Sequence, residues 1–153
     1  SVCDMGVVGK DTIMEKGGTF YEVADLGFGK CRFALAVVKG KNLYEGYHNL
    51  TIASKYVNVA KNFFEQKSMD VDIVKIEGSV ELAPVLGLAD AIVDIVETGT
   101  TLKENGLVVA EDVCPVSARL IVNIASMKLR KKEIESLIDK MENDVQKRRA
   151  KEA

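Results

Sequence analysis

Two acids three residues apart, Asp94 and Glu97, precede a run of hydroxyls around one glycine, Thr98-Gly99-Thr100-Thr101. These residue types suit the binding of a phosphate carried by a sugar. Threonine hydroxyls donate hydrogen bonds. A glycine lets backbone N–H groups approach an anion closely and tolerates positive φ. A carboxylate such as Asp94 can accept bonds from sugar hydroxyls or hold a metal. The apolar run Ala91-Ile92-Val93 ahead of the acids reads as a buried strand. Thr101 to Asn105 behind them reads as a short helix stopped by Gly106. The layout is strand, turn and helix N-terminus, where unpaired N–H groups and the positive end of the helix dipole can hold an anion. As a local pattern the segment serves equally as an ordinary turn ending in a capped helix. The choice falls to the elements around it.

The middle of the chain alternates between strand and helix. Leu50-Thr51-Ile52-Ala53 is a short strand. Lys55-Tyr56-Val57-Asn58 leads into a helix reaching about Gln66, with Val59, Phe63 and Phe64 on one face. Val71 to Ile76 is the next strand. Gly78-Ser79 then opens a helix with Ser79 as N-cap, Val80, Leu82 and Ala83 inside, and Pro84 one turn in. Gly87-Leu88-Ala89-Asp90 connects to the strand that carries Asp94. This alternation predicts a parallel sheet with helices on both faces. Such sheets bind ligands at the carboxyl ends of their strands. The Asp94–Thr101 loop lies at such an end, which favours the phosphate cradle.

The flanks are simpler. Val2 to Lys10 reads as a short strand, and Asp11 as the cap of a helix from Thr12 to Lys16 that Gly17-Gly18 ends. Tyr21 to Leu26 and Cys31 to Val38 read as strands joined by a tight turn, Gly27-Phe28-Gly29-Lys30. Lys39 to Asn49 is a polar loop. Beyond Gly106 the pattern predicts strands at Leu107 to Val113 and Ala118 to Asn123, with Pro115 as a crossing segment between them. A last helix begins near Ala125 or Ser126. Ile134, Leu137, Ile138 and Met141 form its apolar stripe, and Val145 extends it. Lys147 to Ala153 is polar and is expected to fray.

Composition narrows the function. The 153 residues are 47% hydrophobic and 29% charged, the balance of a soluble globular chain of one domain or two small lobes. No stretch approaches the roughly 20 apolar residues of a membrane helix, and no signal-peptide pattern opens the chain. Cys3, Cys31 and Cys114 are odd in number and far apart, which fits reduced thiols in the cytoplasm. His48 is the sole histidine, so histidine-based triads and most zinc sites are improbable. The net charge of −2 divides into +3 from Lys128 onward and −5 before it. Acids interleave with the basic residues of that tail, which describes a solvated helix face better than a nucleic-acid site.

Several long motifs, in order along nearly the whole chain, resemble ATP phosphoribosyltransferase. They are Gly78-Ser79-Val80-Glu81-Leu82-Ala83-Pro84, Gly87 to Asp94, Glu97 to Leu102 and Asn105-Gly106-Leu107. The opening Asp4-Met5-Gly6-Val7-Val8-Gly9-Lys10-Asp11, the stretch Leu26 to Arg32 and the stretch Ala118 to Asn123 are similar too. The resemblance implies the first step of histidine biosynthesis. In it the N1 of ATP displaces pyrophosphate from phosphoribosyl pyrophosphate, with Mg²⁺. It implies that Glu97, Thr98, Gly99, Thr100 and Thr101 hold the 5′-phosphate, with Asp94 beside the ribose. By the same resemblance Asp94, Glu81 and Tyr56 are candidate catalytic groups, and Asp4 and Met5 are expected to line the nucleotide side.

The implied fold is α/β, two-lobed and of the periplasmic-binding-protein (type II) kind, with the cleft between the lobes. Residues 1–31 and 117–153 then form lobe one, and residues 32–116 form lobe two with the phosphoribosyl pyrophosphate loop. Val57 stands where the family usually has proline. The family's N-terminal segment and the long form's regulatory domain have no counterpart in this sequence. That resembles the short form, which works with a histidyl-tRNA-synthetase-like regulatory subunit, and it leaves lobe one incomplete. The chain alone is therefore expected to lack turnover and to self-associate through an open sheet edge. Two other readings stay open. One is a non-catalytic ligand-sensing module on the same fold. The other is a classical phosphoribosyltransferase, whose loop usually carries two adjacent acids.

Overall fold

A computed structural model describes residues 3–46 and 48–153. Val2, where the first strand was expected to begin, and Tyr47 of the polar loop lie outside the described residues. The chain divides into two units, Ser1–Lys30 with Val116–Ala153, and Cys31–Pro115.

Unit one is built on an antiparallel three-stranded sheet. β8 (Ala118–Asn123) runs between β1 (Met5–Gly9) and β2 (Phe20–Asp25). Alternation in β8 buries Ala118, Leu120 and Val122. Leu26, Ala118 and Leu120 form a small core, with Met5, Val23, Ala24, Ile138 and Met141 packed against it. α1 (Lys10–Lys16) follows β1 directly. Gly9 is its N-cap residue, so Asp11 lies in the first turn rather than capping it.

The C-terminal region forms two helices, not one. α5 (Ile124–Leu129) starts from Asn123, whose side chain accepts the Ser126 N–H. Arg130 leaves helical geometry at φ −128°, and α6 (Lys131–Glu152) continues from it. α6 runs through the segment expected to fray. Ile134 is buried and Ile138 and Met141 meet the core, but Leu137 is 47% exposed and turns away from it.

Unit two carries a five-stranded sheet of order β5-β4-β6-β3-β7. Its strands are β3 (Cys31–Val38), β4 (Thr51–Ser54), β5 (Asp72–Lys75), β6 (Ala91–Val96) and β7 (Leu107–Val116). β4 is parallel to both β5 and β6, as the alternation predicts, while β3 pairs with β6 antiparallel. β7 runs on through Pro115, which sits near its end instead of separating two strands. Proline is tolerated at such terminal positions because no ladder N–H is needed there.

α2 (Val57–Gln66) buries Val59, Ala60 and Phe64. α3 (Leu82–Val85) is a single turn. Ser79 makes no side-chain cap to it, and Leu82 is 42% exposed, contrary to the sequence expectation. Val80, Ala83 and Pro84 are buried there. One face of the sheet, with Ala34, Ala36, Ala53, Ile92, Val96 and Leu107, packs on Val80, Ala83 and Leu102. Each large apolar side chain fully buried this way contributes about 1.5–3 kcal/mol.

Candidate phosphoribosyl site

β6 decides where the acid falls. Its side chains alternate, so Asp94 shares a face with Ile92 and Val96, which lie in the core described above. Across the ladder Asp94 meets Ala34, while Ile95 meets Phe33 on the other face. A carboxylate between Ile92 and Val96 in a core-facing row is poorly hydrated. Burial pushes the Asp94 carboxyl above the ordinary carboxylate range. The Ile95 N–H, bonded to its Oδ1 at 2.9 Å, and the charge of Lys55 pull it back, and Glu81 adds a smaller upward push.

The chain leaves β6 into Glu97-Thr98-Gly99. Gly99 has φ 81° and ψ 4°, a left-handed conformation that favours glycine. A Cβ there would find only Val96 Cγ1, at 3.9 Å, so the requirement is one of backbone and not of space. The Thr98 and Thr100 hydroxyls lie 2.9 Å apart. Gly99 is the N-cap residue of α4 (Thr100–Glu104), and no side chain caps it. At five residues this helix has a small dipole, so the anion-binding capacity rests on local N–H groups and hydroxyls. Asn105 Nδ2 donates to the Thr101 carbonyl at 2.8 Å and ties off the far end.

Glu81 and residues 94–102 together line a cavity of about 290 Å³. Asp94, Glu97, Thr98, Gly99, Thr100, Thr101 and Glu81 thus lie on one cavity. Tyr56 is not among its lining residues. It follows β4 at the same sheet edge, but its ring packs edge-on against Phe33 at 4.9 Å, on the face opposite Asp94.

Asp4 and Met5 belong to unit one. The Asp4 carboxylate accepts from Ser126 Oγ at 2.5 Å and from Arg130 Nη1 at 3.3 Å. Met5 pairs with Val122 and packs on the unit-one core.

Sequence reasoning missed Ser54. Its side chain has no exposed surface, and its Oγ donates to the Val93 carbonyl at 2.6 Å and accepts the Tyr56 N–H at 2.9 Å. It fastens the end of β4 to β6 one residue before Asp94. The only sequence signal is a serine at the carboxyl end of an apolar strand.

Two α/β units, one of them with an acid- and threonine-lined loop at the carboxyl edge of its sheet, define a protein of the periplasmic-binding-protein (type II) fold. The structure of a probable amino-acid ABC transporter extracellular-binding protein from Bacillus subtilis aligns with 83% of this chain and 58% of that one. Its TM-score is 0.54 at 13% identity, a likeness of fold alone. The sequence model of the ATP phosphoribosyltransferase family matches residues 1–143. The ATP phosphoribosyltransferase of Clostridium kluyveri is 60% identical over 149 residues, covering 95% of this chain and 68% of the relative. That of Clostridium acetobutylicum is 59% identical, covering 94% and 67%. The ATP phosphoribosyl transferase (HisG:HisZ) complex from Thermotoga maritima aligns with TM-score 0.82 and 34% identity over 95% of this chain and 72% of that one. The chain belongs to the ATP phosphoribosyltransferase family.

Proposed function

We propose that this chain is the catalytic polypeptide of the first step of L-histidine biosynthesis, and that unit two binds phosphoribosyl pyrophosphate in the Asp94–Leu102 cavity. The observation that carries this reading is the cavity itself, in which three acids, three threonines and one left-handed glycine converge. The N–H groups and hydroxyls from Thr98 to Thr101 hold the 5′-phosphate, with Glu97 at the mouth of the loop. Asp94 accepts bonds from the ribose hydroxyls.

In the reaction the bond from ribose C1′ to the pyrophosphate oxygen breaks and a bond to adenine N1 forms. The bonding pair leaves with pyrophosphate. Positive charge grows on the sugar as this happens. Asp94 and Glu81 present negative charge in a partly water-excluded place, where such stabilisation is strongest. Tyr56, at the same sheet edge, is a candidate contact for the incoming nucleotide. Asp4 and Met5 are the candidates in unit one.

The family implies Mg²⁺. Among the described residues no group of three or more His, Cys, Asp or Glu could hold a metal. That fits an ion held largely by substrate oxygens, since Mg²⁺ commonly binds through one or two carboxylates plus phosphates. Asp94 and Glu81 are the carboxylates that would complete its shell. Bound there, Mg²⁺ would neutralise the pyrophosphate leaving group.

The regulatory partner in this reading is a histidyl-tRNA-synthetase-like subunit, supported by the likeness to the Thermotoga maritima HisG:HisZ complex. A homo-oligomer in the cytoplasm fits the same reading. Among the described residues no helix is long and apolar enough to cross a membrane.

Isothermal titration of phosphoribosyl pyrophosphate, with and without Mg²⁺, tests the reading, together with absorbance detection of phosphoribosyl-ATP in the presence of the regulatory subunit. Saturable, Mg²⁺-enhanced binding is expected. Absence of binding to the full enzyme would overturn it.

A further inference from the structure

The cavity poses an electrostatic problem. Its lining holds Glu81, Asp94 and Glu97, and among the described residues lining it there is no lysine or arginine. An anionic sugar phosphate entering three carboxylates needs a cation close by.

The sheet register supplies one. In the parallel ladder Ala53 stands beside Ile92, and both lie in the core on the Asp94 face. β4 ends at Ser54, level with Val93, and Lys55 follows it directly, so the chain leaves the strand with Lys55 next to the position of Asp94. The Tyr56 ring lies on the face opposite Asp94, against Phe33. The segment is also held in place. Ser54 bonds both the Val93 carbonyl and the Tyr56 N–H, so it clamps the backbone on either side of Lys55 against the strand that carries Asp94. Lys55 itself is exposed, free to reach a ligand at the sheet edge. Its positive charge lies close enough to favour the ionised form of Asp94 against the burial that opposes it.

We propose that Lys55 is a positioning residue of the phosphoribosyl pyrophosphate site: clamped beside Asp94, its ammonium orients that carboxylate toward the ribose and offsets the acids of the cavity when the anionic substrate enters. This rests on the reading of the cavity given above. Lys103, on α4, is the nearest lysine in sequence to the loop but does not line the cavity, and serves as a control of equal charge.

The experiment uses the full enzyme with its regulatory subunit. Lys55→Met, Lys55→Gln, Lys55→Arg and Lys103→Met are compared for KM of each substrate, for kcat, and for phosphoribosyl pyrophosphate binding by calorimetry. Loss of one charge-assisted contact should raise KM for phosphoribosyl pyrophosphate about tenfold to a hundredfold. KM for ATP should change little. Lys55→Arg should recover part of the loss because it keeps the charge but not the reach. Lys103→Met should match the unaltered enzyme. Lys55→Gln stands in if the methionine variant fails to fold.

Unchanged phosphoribosyl pyrophosphate affinity in the Lys55→Met or Lys55→Gln enzyme would overturn the assignment while leaving the cavity reading intact. An equal rise in KM for both substrates, unrelieved by arginine, would overturn it too, as the mark of a merely structural residue. Absence of binding to the unaltered enzyme would overturn the cavity reading and the Lys55 assignment with it.

Discussion

Ser54→Ala isolates the clamp. The serine side chain is fully buried and makes two hydrogen bonds, one given to the Val93 carbonyl and one accepted from the Tyr56 N–H. Alanine fits the space, so the perturbation is electrostatic and not steric. It removes a donor from a carbonyl inside the sheet, and it leaves the N–H at the entry to α2 without its acceptor. A buried polar group stripped of its partner costs about 1–3 kcal/mol. The Tyr56 N–H is only part-buried, where water can replace the bond, so its share falls at the low end. The sum is about 3 kcal/mol. For a chain of this length that corresponds to a fall in Tm of roughly 6–12 °C.

Two units can unfold separately, so the global transition is not the best reporter. Amide hydrogen exchange at Tyr56 reads the clamp directly and should accelerate sharply in the variant. Phosphoribosyl pyrophosphate affinity should fall as well, because β4 and β6 are no longer tied together beside Asp94. Unchanged exchange at Tyr56, with a stability loss below about 0.5 kcal/mol, would show that the two short distances carry no weight.

Other expectations follow from the same geometry. Gly99→Ala places a methyl in open space but forces an L-residue to φ 81°, so it should cost about 1–2 kcal/mol of stability. Gly99→Val should cost more, and both should weaken binding of inorganic phosphate in calorimetry. Thr101→Ala should cost about 1–3 kcal/mol of phosphate affinity if its hydroxyl makes a charge-assisted bond, and equal affinity would remove it from the cradle.

Asp94 has its folded pKa raised by burial, so the folded state holds its proton more tightly than the unfolded state. Its contribution to stability is therefore complete below the ordinary value of 3.8 and declines as pH rises through the raised one. Asp94→Asn should then gain stability at neutral pH relative to acid pH while losing activity, as denaturant midpoints across pH and the phosphoribosyl-ATP assay will report. Asp25 behaves in the opposite sense. Burial pushes its carboxyl up, but the Gly27 N–H, the Ser117 hydroxyl, and Arg119 and Arg149 together hold it below 3.8. Its stabilisation of unit one should be present above that value and be lost as pH falls through the depressed one, and Asp25→Asn should flatten that acid limb of the stability curve.

What the sequence disclosed tracks how local the cause was. Cys31–Val38 and Ala118–Asn123 were readable to the residue because long apolar or alternating runs fix a strand without help from elsewhere. The loop from Glu97 to Thr101 was readable for a related reason. A glycine forced to φ 81° between threonines leaves a trace in residue type.

The misreadings arose where tertiary packing chose. Gly78 to Pro84 has the cap, apolar residues and early proline of a helix start, yet folds into one turn with Val80 and Pro84 buried and Leu82 outside. The break at Arg130 has no glycine or proline to announce it. It coincides instead with an ion pair from Arg130 to Asp4, 126 residues away. The strand before Pro115 was expected to end at Val113 but runs on to Val116, because the missing N–H matters only if a neighbouring strand needs it; the passage between the two units does fall directly after Pro115.

Ser54 was the least legible of all. Nothing distinguishes a serine that ends a solvent-facing strand from one that pins two strands together, except the partner strand. Yet that pairing gives the site its order. The loop supplies groups able to hold a phosphate, but residue type alone does not set those groups against an acid on β6 and a lysine just past the end of β4. The parallel register of β4 and β6 does so by placing Ala53 beside Ile92, and the buried hydroxyl of Ser54 fixes the next residues against slippage. A one-residue slip would carry Lys55 away from the position of Asp94 and leave that acid facing its own like charges. The chemistry of the site is therefore written in the loop, and its geometry in a serine and a register that acquire meaning only once the sheet has formed.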